Sequence, residues 1–178
     1  MQNPVFAAIE AGGTKFVCGI GFGPDDLRIA QFPTTTPAAA IARCISFFRE
    51  SAPGPIAALG IASFGPVDLH TNSPTWGHIT TTPKAGWRNI DLAGPLRDAL
   101  GIPVAFDTDV NGAVLAEHRW GAARDVEDCV YLTIGTGIGG GAICGGRLIH
   151  GLLHPEIGHI RIPHDLGADP FRGSCPFH

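Results

Sequence analysis

The chain has no cluster of Lys and Arg, no long apolar run and no charged leader. Its 178 residues include 12 Lys and Arg and 16 Asp and Glu, which gives a formal net charge of −4. Nucleic-acid binding depends on phosphate contacts from clustered basic side chains, so we expect no nucleic-acid partner. No apolar stretch approaches the ~18 residues of a membrane-spanning helix, and the N-terminus lacks a signal-peptide pattern. We therefore expect neither export nor membrane insertion.

Cysteine is sparse and irregularly spaced. Five Cys are scattered along the chain, and an odd, scattered set fits a reduced cytoplasm better than a disulfide framework. Apolar residues make up 44% and charged residues 16%, which is typical of a globular chain and not of a disordered one. Gly (25) and Pro (15) are abundant but form no repeat, so they mark turns and loops.

Apolar periodicity predicts an α/β fold large enough to bury a substantial core. A long polar stretch at 70–87 shows only a possible short hairpin. Long ordered loops are often functional, although a disordered excursion is the alternative. Six strands are predicted, at 5–9, 16–21, 27–32, 57–62, 102–106 and Cys129–Ile134. Three helices are predicted, at 37–50, 91–100 and from Asp109 to about Gly121.

Two carboxylates, Asp107 and Asp109, follow the predicted strand at 102–106. Open α/β sheets bind ligands at the carboxyl ends of their strands. Asp109 also begins a helical pattern, so it is the leading candidate for a catalytic residue. The alternative is that Asp109 only caps the helix N-terminus, where Asp is a favoured residue.

Two glycine-rich turns connect predicted strands. The first, at 10–15, reads EAGGTK, and the second, at 135–141, reads GTGIGGG. Turns of this kind present backbone N–H groups to anions, and two of them could hold a polyphosphate from both sides. An ordinary hairpin turn is the alternative for the first. The second leads into a strand and is not followed by GK[ST], so it matches neither a P-loop nor the dinucleotide fingerprint.

The C-terminal segment contains two pairs of residues three apart. They are Glu156 with His159, and Cys175 with His178. The second pair has the spacing of zinc ligands, and His159 could be a third ligand. A closed structural zinc site needs a fourth ligand, for which His154 and His164 are further candidates. The alternative is a Gly- and Pro-rich tail in which Cys and His are incidental.

Six motifs occur together, in the order IEAGGTKF, SFGPVD, TPKAGW, TDVNGAVLAE, TIGTGIGGG and HPEIGH. They resemble the ROK family of sugar kinases, and most closely its bacterial fructokinase branch. The resemblance implies an actin-like ATPase fold, ribonuclease H-like, with ATP and sugar between two lobes. It places the N-terminal lobe at 1–121 and the start of the C-terminal lobe, with the second phosphate loop and a partial zinc motif, at 122–178.

The same resemblance implies transfer of the γ-phosphoryl group of MgATP to a hexose, most closely fructose to fructose 6-phosphate. Asp109 would be the catalytic general base. The implied ATP- and phosphate-binding residues are Glu10, Gly12, Gly13, Thr14, Lys15, Gly135, Thr136, Gly137 and Gly139. The implied sugar-binding residues are Gly65, Thr108, Asp109, Glu156 and His159. The implied zinc ligands are His159, Cys175 and His178, which leave a structural Zn²⁺ site one ligand short.

Two residues depart from the common family pattern. Many members have Asp at the position of Glu10 and Asn at the position of Thr108, and both departures suit the fructokinase branch better than a glucose-specific one. The chain also ends about where the second lobe should begin. We therefore expect an N-terminal part of a longer cytoplasmic kinase, homodimeric when complete and nearly inactive as this piece.

Three alternatives compete with this expectation, and we expect the second, a repressor, to be disfavoured because its DNA-binding element has no room before Glu10. A kinase for another hexose or an N-acetylhexosamine would share every feature named above. A ROK-type sugar-responsive repressor would need a DNA-binding helix-turn-helix before the first phosphate loop, which here begins at Glu10. A non-catalytic sugar-binding protein is the third.

Overall fold

A computed structural model describes residues 3–135, 137–152 and 154–173. Among these residues, no helix is both long and apolar enough to cross a lipid bilayer. The first part of the chain forms β1 (Val5–Ala11), β2 (Lys15–Gly21), β3 (Leu27–Pro33), α1 (Pro37–Ser51), β4 (Ile56–Ser63), β5 (His78–Ile79), β6 (Ile90–Asp91) and α2 (Ala93–Leu100). The rest forms β7 (Val104–Thr108), α3 (Asp109–Trp120), β8 (Cys129–Ile134), β9 (Ile138–Cys144), β10 (Arg147–Leu148) and a 3-10 turn (Ile157–His159).

The larger sheet has the strand order β3-β2-β1-β4-β7. The first three strands are antiparallel neighbours, whereas β4 runs parallel to β1 and β7 runs parallel to β4. Side chains alternate between buried and exposed along β1, as period-2 patterning predicts for a sheet with one covered face. The parallel arrangement brings the carboxyl ends of β1, β4 and β7 to one edge.

Helix α1 buries Ala40, Cys44 and Phe48 in the main apolar core. Their four-residue spacing places them on one helix face, as the amphipathic pattern predicts. The polar stretch at 70–87 is ordered, because Trp87 at its end is fully buried and donates from Nε1 to the carbonyl oxygen of Thr35 at 2.9 Å. The disordered alternative for this stretch is therefore wrong.

A second sheet of three antiparallel strands has the order β10-β9-β8. Helix α3 lies between the two sheets and contacts β4 and β7 on one side and β8 and β9 on the other. The two sheets around α3 are consistent with the predicted division at residue 121, which stays a prediction.

The elements predicted with bounds agree with the structure to within two residues, and two of the shifted boundaries have an identifiable cause. Helix α2 begins at Ala93, because Ile90 and Asp91 pair with His78 and Ile79 in the small hairpin. Strand β7 extends through Thr108, because Asp107 and Thr108 continue the pairing with β4. Both differences come from strand partners that are distant in sequence.

Candidate active site

Asp109 is the first residue of α3 and does not cap it. The N-cap is Thr108, whose Oγ1 accepts a hydrogen bond from the backbone N–H of Asn111 at 3.1 Å. The carboxylate of Asp109 accepts a hydrogen bond from the adjacent Val110 N–H, at 2.9 Å. The interpretation of Asp109 as the helix cap is therefore wrong, because Thr108 already makes the capping bond.

The surroundings of Asp109 favour its protonated form. Burial raises the pKa of the Asp109 carboxyl, and the negative charges of Glu10 and Glu156 raise it further. The hydrogen bond from Val110 opposes this effect because it stabilises the ionised carboxylate. Three carboxylates thus interact at the edge of the larger sheet, an arrangement suited to a proton or a cation.

Asp109 lines a cavity of about 620 Å³ beside α3. The cavity receives side chains from the ends of β4 and β7, from the long polar stretch, from β9 and from the segment after β10. It brings together six of the predicted site residues, namely Gly65, Thr108, Asp109, Gly139, Glu156 and His159. Its other lining residues are Pro66, Thr81, Pro83, Arg88, Val110, Gly140, His154, Pro155 and Ile157.

Glu156 and His159 reach this cavity through the short 3-10 turn. The side chain of Ile157 lies against Gly140 of β9, which holds the turn beside α3. Nε2 of His159 is 3.9 Å from Oε2 of Glu156. The two side chains predicted to bind sugar hydroxyls are therefore neighbours in the lining of the cavity.

The first glycine turn is tight. Gly12 donates to the carbonyl oxygen of Lys15 at 2.9 Å, and a Cβ on Gly12 would lie 2.7 Å from that oxygen, so the turn requires glycine. The side chains of Glu10, Thr14 and Lys15 are exposed. Glu10 reaches Asp109 through its charge and does not line the cavity.

The second glycine turn is exposed at Gly135 and Gly137 and becomes buried at Gly140 and Gly141. Gly135 donates to the carbonyl oxygen of Gly137 at 2.9 Å. Thr136, predicted to bind phosphate, lies outside the described residues. Among the described residues of the two turns, Gly139 and Gly140 line the cavity.

A comparison with protein-family models matches the ROK family over residues 6–178. The chain belongs to the ROK family. It is 47% identical to a fructokinase from Zymomonas mobilis, over 99% of this chain and 60% of that protein. It is also 47% identical to a putative fructokinase from Bacillus subtilis, over 98% of this chain and 57% of that protein. The chain thus spans somewhat under two thirds of these relatives.

Solved ROK structures share the fold. A ROK glucokinase from Streptomyces griseus, in complex with glucose and AMPPNP, aligns with a TM-score of 0.74 and 28% identity over 89% of this chain and 51% of that one. A ROK hexokinase from Thermus thermophilus aligns with a TM-score of 0.71 and 31% identity over 89% and 54%. The actin-like ATPase fold expected from the motifs is confirmed.

The zinc expectation of the ROK resemblance stays a prediction. Cys175 and His178 lie outside the described residues, and the described ranges contain no group of three His, Cys, Asp or Glu side chains that could hold a metal ion. His154 is a poor additional ligand, because its Nε2 accepts a hydrogen bond from Val67 and its Nδ1 lies 3.4 Å from Glu156.

The sequence indicated that Asp107 lies at the end of a strand, but it did not indicate which side chains form hydrogen bonds with its carboxylate. Its Oδ1 accepts hydrogen bonds from the Thr108 backbone and from the Asn111 side chain, both at 2.8 Å. Its Oδ2 lies 2.7 Å from Nε2 of His150, which follows β10. Asp107 therefore links the end of β7 both to α3 and to the segment that leads towards Glu156.

The structure also adds two residues of the long polar stretch and the residue that follows it. Thr81, Pro83 and Arg88 line the cavity, and none of them was singled out from the sequence. The available signal was the TPKAGW motif, whose ordered, turn-rich character indicated a functional loop without specifying which side chains take part.

Proposed function

We propose that this chain carries the hexose site and the general base of an ATP-dependent sugar kinase, and that the hexose is fructose. The observation that carries the proposal is the placement of Asp109 in one cavity with Glu156 and His159. A partly buried carboxyl with a raised pKa, next to side chains able to bind hydroxyl groups, is suited to accept a hydroxyl proton.

The mechanism follows from these positions. Glu156 and His159 hold hydroxyl groups of the hexose, and Thr108 and Gly65 line the same cavity. The reacting hydroxyl lies against Asp109, which accepts its proton as the hydroxyl oxygen attacks the γ-phosphorus of ATP. A general base whose pKa is closer to neutrality transfers the proton more effectively.

The glycine turns would hold the phosphates. Backbone N–H groups of the turns at 10–15 and 135–141 are suited to bind phosphate oxygens, and Lys15 adds a positive charge. The negative charge of Glu10 raises the pKa of the Asp109 carboxyl, so a divalent cation near both carboxylates would relieve their repulsion. Bound Mg²⁺ would neutralise phosphate charge, with Glu10 ordering its water shell, since Mg²⁺ keeps several waters in such sites.

Fructose is favoured over other hexoses by two observations. Identity is 47% to the fructokinases and about 30% to the glucokinase and hexokinase relatives. Thr108 also lies in the cavity at the position where many ROK kinases have Asn. A kinase for another hexose or an N-acetylhexosamine is the second candidate, because it would use the same base and the same hydroxyl-binding pair.

A chimera tests the proposal. In it, this chain replaces the matching part of the Zymomonas mobilis fructokinase, and ADP release is followed with fructose, glucose and N-acetylmannosamine. We expect the highest kcat/KM with fructose, and we expect Asp109→Asn to lower kcat by roughly 10²–10⁴, the usual contribution of a general base. Turnover unaffected by Asp109→Asn would refute the catalytic assignment, and a preference for N-acetylmannosamine would refute the substrate.

Three further properties belong to the proposal. A structural Zn²⁺ would be held by His159, Cys175 and His178 together with a fourth ligand, since closed structural sites have four. The complete protein would be a homodimer, and it would act in the cytoplasm.

A further inference from the structure

His154 lines the cavity and contacts two parts of the chain that are distant in sequence. Its side chain is only 5% exposed, although it follows an exposed segment at 151–152. Nε2 accepts a hydrogen bond from the backbone N–H of Val67 at 3.2 Å, and Nδ1 lies 3.4 Å from Oε1 of Glu156. Val67 follows β4, and Glu156 belongs to the segment after β10. One imidazole therefore contacts both segments.

The contact with Val67 determines the proton position on the ring. A backbone N–H can only donate, so the Nε2 that faces it must carry a lone pair. In a neutral imidazole the proton is then on Nδ1, the nitrogen that faces the Glu156 carboxylate. In a doubly protonated ring, the N–H at Nε2 would face the N–H of Val67, and the two donors would repel each other. In the neutral tautomer protonated on Nε2, that repulsion would remain and the lone pair of Nδ1 would face the Glu156 carboxylate.

We propose that His154, as the neutral Nδ1–H tautomer, is a positioning residue that orients the Glu156 carboxylate and the turn at 65–67 for hexose binding. This inference rests on the proposed function, because it assigns Glu156 to the hexose. With Oε1 oriented towards His154, Oε2 is the oxygen on the His159 side and the one available to accept from a sugar hydroxyl.

We expect the loss of His154 to weaken hexose binding and to leave the rate of phosphoryl transfer largely unchanged. His154 is not placed against Asp109, whose carboxylate accepts from Val110. Glu156 is 56% exposed and its side chain has several rotatable bonds, so in the absence of His154 it would sample many orientations. Ordering that carboxylate before the hexose arrives lowers the entropic cost of binding.

A buried histidine can also have a purely structural role, which would lower stability without selective loss of affinity. Two substitutions separate the two ring contacts. His154→Asn places an amide N–H near the position of Nδ1, so it retains donation towards Glu156 and loses the acceptor for Val67. His154→Gln places an amide oxygen near the position of Nε2, so it retains the acceptor and loses donation towards Glu156.

The first measurement is made on the chain itself. Nitrogen-15 NMR of the imidazole rings at neutral pH is expected to show His154 protonated on Nδ1 and unprotonated on Nε2, with slow exchange of the Val67 amide proton. Protonation on Nε2 would overturn the inference. This readout does not depend on any kinase activity.

The second measurement is made on the fructokinase chimera. We expect His154→Gln to raise the KM for fructose by about fivefold with little change in kcat, since the variant loses the attraction between Nδ1–H and the half-exposed Glu156 carboxylate, and contacts of this kind contribute up to about 1 kcal/mol. His154→Asn should raise the KM less. The control is His118→Gln, because His118 lies at the end of α3 and contacts Val126.

The outcomes are distinguishable. If both His154 variants lower the thermal midpoint and leave the KM unchanged, His154 is structural and the inference is wrong. If the unmodified chimera binds no hexose, the proposed function fails and the role in hexose binding fails with it, whereas the NMR result still reports whether the Val67 contact exists.

Discussion

Asp109 has two properties that are not expected of a residue selected only for stability. Its carboxyl is the first of α3 and accepts one local backbone hydrogen bond, while the capping bond belongs to Thr108. Burial and the charges of Glu10 and Glu156 disfavour its ionised form. A site that destabilises its own ionised carboxylate is typical of a functional residue, because selection for stability alone would remove it.

The pKa shift of Asp109 predicts a pH-dependent gain in stability for Asp109→Asn. Below pH 3.8, the ordinary value, the carboxyl is protonated in both the folded and the unfolded chain, so the shift costs nothing. As the pH rises, the unfolded chain ionises first, and the folded protein loses stability until the pH exceeds the raised pKa. We therefore expect Asp109→Asn to raise the thermal midpoint of this chain at pH 7 and to give no such gain below pH 3.8.

Asp98→Asn is the control for this measurement. Asp98 is an exposed carboxylate on α2 that pairs with Arg97, and exposed pairs contribute little to stability. A lower midpoint for Asp109→Asn at pH 7 would mean that Asp109 stabilises the fold, contrary to this interpretation.

At the scale of elements, the position of Asp109 depends on how closely α3 approaches the larger sheet. A Cβ on Gly112 would lie 2.5 Å from the Cβ of Ala62 on β4, so α3 can sit at this distance only with glycine at 112. Because Gly112 is three residues after Asp109, displacement of the helix at this point would also move the carboxylate.

Gly112→Ala is expected to destabilise the chain by roughly 1–2 kcal/mol. Overpacking costs roughly 1–3 kcal/mol, and the higher helix propensity of Ala offsets part of it. Adding Ala62→Gly removes the clashing methyl group, so the double variant should recover stability and show a coupling energy in a double-mutant cycle. Thermal or denaturant unfolding measures both effects.

Gly60→Ala provides the matched control. It lies on the same strand, and a Cβ there has no atom within 4 Å. If Gly112→Ala were as stable as Gly60→Ala, or if Ala62→Gly failed to improve it, the close approach of α3 to β4 would not be what holds the helix in place.

At the scale of the whole molecule, the second sheet has an uncovered apolar face. Val130, Leu132 and Ile134 alternate along β8 and are 62%, 54% and 79% exposed. Alternation with period two normally indicates a face packed against another layer. The fructokinase relatives are longer than this chain, which covers 60% and 57% of their lengths.

This face predicts that the purified chain self-associates. Contiguous exposed apolar patches larger than a few hundred Å² are rare on soluble monomers and promote association. We expect concentration-dependent oligomers by size-exclusion chromatography with light scattering, and a shift towards monomer in the double variant Leu132→Ser with Ile134→Ser. Ile29→Ser is the control, because Ile29 is similarly exposed but lies on β3 of the larger sheet.

Two outcomes would contradict the prediction. A chain that is monomeric at all concentrations would show that this face needs no partner. Equal dissociation by Ile29→Ser would show that association occurs elsewhere on the surface.

The local order of residues was sufficient to predict most of the elements and the main candidates for the site. The alternation along β1, the four-residue spacing in α1 and the strand at Cys129–Ile134 depend only on near neighbours in the chain, and the structure has all three. The motifs around Asp109, Glu156 and His159 likewise identified residues that share one cavity.

Contacts between distant residues were decided by the tertiary structure. His150 reaches Asp107 across 43 positions and His154 reaches Val67 across 87, because the two sheets bring the segment after β10 against the ends of β4 and β7. The cap of α3 is Thr108 and not Asp109, because β7 continues its pairing through Thr108. The pattern of residues along an element indicates which of its faces is apolar. The hydrogen-bond partner of a polar side chain depends instead on which elements pack together. That packing is determined by the free energy of the whole fold.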